Sequence, residues 1–119
     1  MLILTPLSAL FSDLCLSRGI RKKELAYRLG LDPSHLSAMA SGRKGPPVGD
    51  LFLQKAQEGL ALTDEESARL KAAIRNSKKW HQMPANANPG EHELITKIFD
   101  SVGKLKPAQI NIISEILKL

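Results

Sequence analysis

The chain has 119 residues, which is enough for one ordinary domain or a small helical domain with an appended element, and too few for two large domains. Hydrophobic residues make up 43% of the chain but aromatic residues only 4%, so we expect a core of Leu, Ile, Ala and Val in an all-α fold. The net charge of +5 is concentrated in residues 18–44, where seven basic residues face two acidic ones, and the remainder is neutral. The basic part is therefore expected to meet an anion, and the neutral part to meet protein.

The chain offers no signal for export or for a membrane. Residues 1–4 are too short for a signal-peptide core, and no apolar run approaches the length of a membrane span. The single cysteine, Cys15, excludes an internal disulfide, and its two leucine neighbours predict a small buried side chain. We therefore expect a cytoplasmic protein without a membrane partner.

Five helices are predicted in the first 82 residues, because N-caps and glycine stops alternate with apolar residues at helical spacing. The residues that mark the predicted helix ends are Thr5, Gly19, Gly30, Asp32, Gly42, Gly59 and Thr63. The second helix is predicted over residues 22–29, the third over 33–41 and the fourth over 48–58. Thr63, with Glu66 three residues later, forms a capping box that starts the fifth helix.

The last third of the chain differs in composition. Residues 83–90 contain two prolines and two asparagines and predict a linker. Residues 91–119 predict two amphipathic helices, and about 30 residues of this kind are too few to bury their own apolar faces. We expect a two-helix hairpin that docks on the first domain or on a second copy of the chain. The residues predicted to form a dimer contact are Leu94, Ile98, Phe99, Val102, Ile110, Ile113, Ile116 and Leu117.

Residues 22–41 have the size pattern of a helix-turn-helix. Ala26 is small enough to let two helices cross closely, and Gly30 four residues later allows a tight turn between them. The apolar residues that would hold the pair together are Leu25, Leu29, Leu31, Leu36 and Met39. Over residues 7–60 the chain resembles the Cro and phage-repressor type of helix-turn-helix regulator, the family that also contains the xenobiotic-response-element regulators. The segments SGRKGPP and LTDEESARLKAAI are similar to prophage-borne repressors of this family.

The resemblance implies a lambda-repressor-like five-helix DNA-binding domain, residues 1–82, followed by the C-terminal hairpin. It also implies a phage or prophage repressor that binds a palindromic operator in double-stranded DNA as a homodimer, in the bacterial cytoplasm or nucleoid. By position in the family motif, the residues implied to contact DNA are Lys22, Lys23, Pro33, Ser34, His35, Ser37, Ala38, Ser41, Arg43 and Lys44. Pro33 stands where relatives often carry a Gln, so one bidentate adenine reader is missing.

Enzymatic activity is not predicted. The sequence has no set of Ser, His and acid with suggestive flanks, no glycine-rich phosphate loop and no HExxH or CxxC pairing. His35, His81 and His92 have no Cys or acidic partners at ligand spacing, so neither a metal nor another cofactor is expected.

Some alternatives stay open at this level. Lys78 and Lys79 are either a second phosphate contact or the solvated end of the fifth helix. Trp80 is expected to pack under the linker or at an interface. The alternative function is a protein-interaction module such as an antitoxin or antirepressor, which the neutral apolar tail favours. RNA binding is disfavoured because the stacking aromatics of single-strand recognition are missing.

Overall fold

The computed structural model describes residues 5–47 and 49–119, and this part of the chain contains seven helices and no strand. The helices are α1 (Pro6–Arg18), α2 (Lys22–Leu29), α3 (Pro33–Ala40), α4 (Leu51–Gly59), α5 (Asp64–Asn76), α6 (Pro89–Ser101) and α7 (Pro107–Ile116). The expectation of an all-α fold is confirmed. Residues 1–4 and Val48, where the fourth helix was predicted to begin, lie outside the described residues. No helix in the described ranges is long and apolar enough to cross a membrane.

The chain divides into two units, Met1–His81 with α1 to α5 and Gln82–Leu119 with α6 and α7. In the first unit α1 packs against α2, α3 and α5, while α4 packs against α2 and α5. Each of these helices contributes apolar side chains to one core, and each fully buried Leu or Phe stabilises it by about 1.5–3 kcal/mol. The largest of these side chains are Leu7, Leu10, Phe11, Leu25, Leu29, Leu36 and Leu70. Cys15 is half-buried against the core, and burial raises the pKa of its thiol.

Local signals account for most helix ends of the first unit. The Thr5 hydroxyl accepts a hydrogen bond from the Ser8 N–H at 3.1 Å, as predicted for an N-cap. At the start of α5, the Glu66 N–H donates to the Thr63 hydroxyl at 3.1 Å and the Thr63 N–H donates to the Glu66 carboxylate at 3.0 Å. The predicted capping box is therefore confirmed. Gly30, after α2, has a left-handed φ of +70°, as predicted.

Gly59 has a different role from the helix stop that its sequence position predicts. It is the last residue of α4 itself, and the positive φ of 49° falls on Ala61 instead. A Cβ atom at position 59 would lie 2.1 Å from the carbonyl oxygen of Arg28, at the end of α2. Glycine is required there because the backbones of α2 and α4 approach closely.

The second unit forms its two helices but not the predicted hairpin. Asn88 caps α6 by accepting from the Glu91 N–H at 2.8 Å, so Pro89 and Gly90, predicted as linker, belong to the helix. The backbones of α6 and α7 do not come into contact, and none of the residues in these two fully described helices is buried. The hairpin prediction is corrected in this respect: Val102 is extended and Gly103 has a φ of +91°, and this connection leaves the helices apart.

Candidate nucleic-acid interface

The turn between α2 and α3 is fixed by backbone hydrogen bonds. The Leu31 N–H donates to the Ala26 carbonyl at 2.8 Å, and the Gly30 N–H donates to the Tyr27 carbonyl at 3.1 Å. Ala26 is fully buried, which lets α2 and α3 pack against each other as the sequence predicts. The turn therefore sets the direction in which α3 leaves α2.

The solvent-accessible residues of α3 lie in its first half and at Ser37. Pro33 and Ser34 are exposed, whereas His35 and Ser37 are half-buried with part of each residue accessible. The prediction that Ala38 contacts DNA is corrected, since Ala38 is only 8% exposed. The reason is that α3 packs against α1 as well as α2, so its second half is covered on more than one side. The accessible part of α3 is thus its first turn and Ser37.

Cations without a carboxylate partner precede and follow α3 along the chain. Lys22 and Lys23 begin α2, Arg43 and Lys44 follow α3, and all four are exposed. In the described ranges none of them has a carboxylate within ion-pair distance. Arg21, which is not among the predicted DNA contacts, precedes Lys22 and is also exposed. These groups leave a positive potential that can attract an anionic polymer.

The basic loop after α3 is held by three hydrogen bonds. The Lys44 N–H donates to the Ala38 carbonyl at 3.1 Å, and the Arg43 Nε donates to the Ser41 hydroxyl at 3.1 Å. The Lys79 ammonium donates to the Arg43 carbonyl at 3.2 Å. Local sequence gave no signal for this last contact, because the two residues are 36 positions apart. Lys79 therefore contacts the backbone of the basic loop.

Two of the seven basic residues in 18–44, Arg18 and Arg28, form ion pairs. Arg18 donates to both carboxylate oxygens of Glu66 at 2.8 Å and to the Leu60 carbonyl at 3.0 Å. The hydrogen bond from Arg18 and the backbone N–H of Thr63 lower the pKa of Glu66 to about 2. Arg28 pairs with Glu24 at 2.8 Å, one turn away on α2. Arg18 therefore joins the end of α1 to the start of α5, and is not part of the free positive surface.

The described residues include no group of three His, Cys, Asp or Glu side chains placed to hold a metal ion. His81 and His92 are both exposed, and neither lies on α2 or α3. Of the three histidines, His35 is the one that lies in the first turn of α3.

The second unit presents the apolar residues that were predicted to form a dimer contact. Ile98 and Ile113 are half-buried, and the other six are exposed by 49% to 76%. Those six are Leu94, Phe99, Val102, Ile110, Ile116 and Leu117. Ile112 and Leu119, which were not predicted, are exposed as well.

In comparisons with known proteins, no family model, no curated protein and no solved structure matches this chain. The residues and geometry described above are therefore the basis for assigning a function.

Proposed function

We propose that this protein is a sequence-specific regulator of transcription that binds double-stranded DNA through α3. The observation that carries the proposal is the accessible first turn of α3, with exposed cations that form no ion pair before and after α3 along the chain. A helix-turn-helix places the N-terminal residues of its second helix in the major groove, while neighbouring basic residues contact phosphates.

In this arrangement Ser34, His35 and Ser37 meet base edges, because they are the polar groups that α3 leaves accessible. Lys22 and Lys23 approach one phosphate strand, and Ser41, Arg43 and Lys44 approach the other side of the groove. Pro33 lies at the front of the helix and offers no side-chain donor. Direct readout therefore rests on few side chains, and phosphate contacts supply most of the affinity.

A second copy of the chain completes the proposal. One recognition helix reads too few base pairs to select a site in a genome, and a dimer places two helices on half-sites about 34 Å apart or a multiple of that distance. The exposed apolar residues of α6 and α7 are the proposed contact, since burying them against a second copy removes them from water. By its resemblance to phage and prophage regulators, we assign the dimer to repression at a palindromic operator in the bacterial cytoplasm.

The proposal is tested by selecting bound sites from random duplex DNA. Enrichment of a palindrome with two half-sites supports it, and the absence of any enriched motif contradicts it. Ser34→Ala should change the preference among selected sites more than the affinity for random DNA. An equal loss on all DNA would remove Ser34 from base readout.

The phosphate contacts have a test of their own. Arg43→Ala, Lys44→Ala should weaken binding to all duplexes and flatten the slope of log affinity against log salt by about 2, since each lost phosphate contact removes about 0.9. The matched control is Lys104→Ala, Lys106→Ala, which removes two exposed lysines between α6 and α7. A salt slope equal to that of the unmodified protein would show that the basic loop does not contact phosphates.

The second candidate function is a protein-interaction module such as an antitoxin or antirepressor. The exposed apolar residues of the second unit favour it, because a protein partner would cover them as well as a second copy does. Selection of DNA sites separates the two candidates, since a module of this kind enriches no motif.

A further inference from the structure

A groove in the first unit is not used by the proposed DNA contact. It lies between the loop after α3, the start of α4 and the end of α5, and its volume is about 670 Å³. The half-buried side chains of Leu53 and Ile74 line it together with Pro46 and Pro47. Trp80 also lines it and is 86% exposed. The groove thus offers an apolar lining with a largely exposed indole.

Cations surround this apolar lining. Lys71 and Arg75 lie one helical turn apart at the end of α5, and Lys78 and Lys79 follow the helix. In the described ranges none of the four pairs with a carboxylate, and Asp50 is the one acid that lines the groove. A ligand that fits must therefore be anionic at its edges and apolar at its centre.

We propose that this groove binds a short acidic segment of a partner protein, anchored by an apolar side chain against Trp80. Charge complementarity selects the acidic residues, and burial of the indole supplies the anchor, as aromatic residues do at many interfaces. A second copy of this chain is a poorer fit, because its exposed apolar unit carries as many lysines as acids over residues 83–119. The occupant is thus a different protein with an acidic surface segment.

A nucleic acid fits the groove less well than a peptide does. The phosphate backbone of duplex DNA gains nothing from the apolar side chains of Leu53 and Ile74. A single strand would stack its bases on successive aromatic side chains, and Trp80 is the one aromatic residue lining the groove. The combination of apolar lining and cationic rim therefore favours a peptide.

The test selects binders to the full-length chain from a displayed library of random 12-residue peptides. The enriched peptides are expected to combine acidic residues with a large apolar one. Trp80 is the only tryptophan of the chain, so its emission reports occupancy directly, and it should shift to the blue as the ring leaves water. Lys71→Glu, Arg75→Glu should weaken binding of the enriched peptides about tenfold or more, since two ion pairs are lost and two repulsive charges replace them.

Two further variants control this measurement. Lys104→Glu, Lys106→Glu makes the same change of charge between α6 and α7 and should leave peptide binding unchanged. Lys71→Gln, Arg75→Gln removes the cations without reversing the charge and should give an intermediate loss, with circular dichroism verifying that each variant is folded. The proposal is overturned if no acidic peptide is enriched, if Trp80 emission does not change, or if the charge-reversed variant binds peptide as before. It is also overturned if duplex DNA shifts the Trp80 emission and the Lys71, Arg75 variants lose DNA affinity with a flatter salt slope, because the groove is then a DNA contact.

Discussion

Gly59→Ala should destabilise the first unit although it adds a single methyl group. The new Cβ would lie 2.1 Å from the Arg28 carbonyl oxygen, while ordinary contacts begin at 3.4 Å, so the backbones must separate by about 1.3 Å. The nearest atoms are backbone atoms of Arg28 and not the end of a flexible side chain. The end of α2 therefore cannot move without disturbing the turn at Gly30. Overpacking of this kind costs about 1–3 kcal/mol.

The better helix propensity of alanine offsets part of that cost, by at most about 1 kcal/mol. We therefore expect a net loss of about 1–2 kcal/mol, which for a unit of this size lowers Tm by about 5–10 °C. Thermal unfolding followed by circular dichroism measures the change. Glu58→Ala, at the exposed neighbouring position, is the matched control and should alter Tm little. If Gly59→Ala melts at or above the Tm of the unmodified protein, the close approach of α2 and α4 is wrong.

Three other predictions concern charge, backbone conformation and domain independence. The lowered pKa of Glu66 means that its ion pair with Arg18 stabilises the fold above pH 4.5 and is lost as the pH falls towards 2, so Glu66→Gln should remove on the order of 1–2 kcal/mol of stability at pH 7. Gly30→Ala should cost about 1–2 kcal/mol because φ is +70° there, whereas Gly30→Asn should cost less, since Asn tolerates this conformation. Deletion of residues 82–119 should leave a folded first unit with nearly unchanged Tm, because the buried core lies in α1 to α5, and should convert the proposed dimer to a monomer in sedimentation.

Each of these predictions has an outcome that contradicts it. The Glu66 prediction is checked by urea unfolding between pH 2 and 7. It is wrong if the Glu66→Gln variant loses as much unfolding free energy over this pH range as the unmodified protein does. Equal stability of the Ala and Asn variants at Gly30 would show that the left-handed turn is not required. A truncated protein that is still dimeric would place the contact between copies in the first unit.

Features encoded by neighbouring residues could be predicted from the sequence. The caps at Thr5 and Thr63, the turn at Gly30 and the all-α fold follow from hydrogen bonds and backbone angles within a few residues. The accessibility of Pro33 and Ser34 was implied by the resemblance to the family motif, in which these positions begin the second helix.

Features that depend on distant parts of the chain could not be predicted in this way. Arg18 was counted in the basic segment expected to meet an anion, yet it pairs with Glu66, 48 positions along the chain. Ala38 was assigned to the exposed face, although it is only 8% exposed in a helix that packs against both α1 and α2. Gly59 was interpreted as a stop, although its small size is required by the α2 backbone. The separation of α6 from α7 likewise follows from the conformation of Val102 and Gly103 rather than from apolar periodicity.

If the exposed apolar faces of α6 and α7 pair two copies, the response of the protein depends on its concentration. Under the proposed pairing, the fraction of paired chains rises with the amount of protein by mass action, so dilution alone separates the copies. Occupancy of a two-fold site would then depend on roughly the square of the chain concentration when the protein is scarce. A modest fall in synthesis, or faster degradation, would release the DNA sharply rather than in proportion.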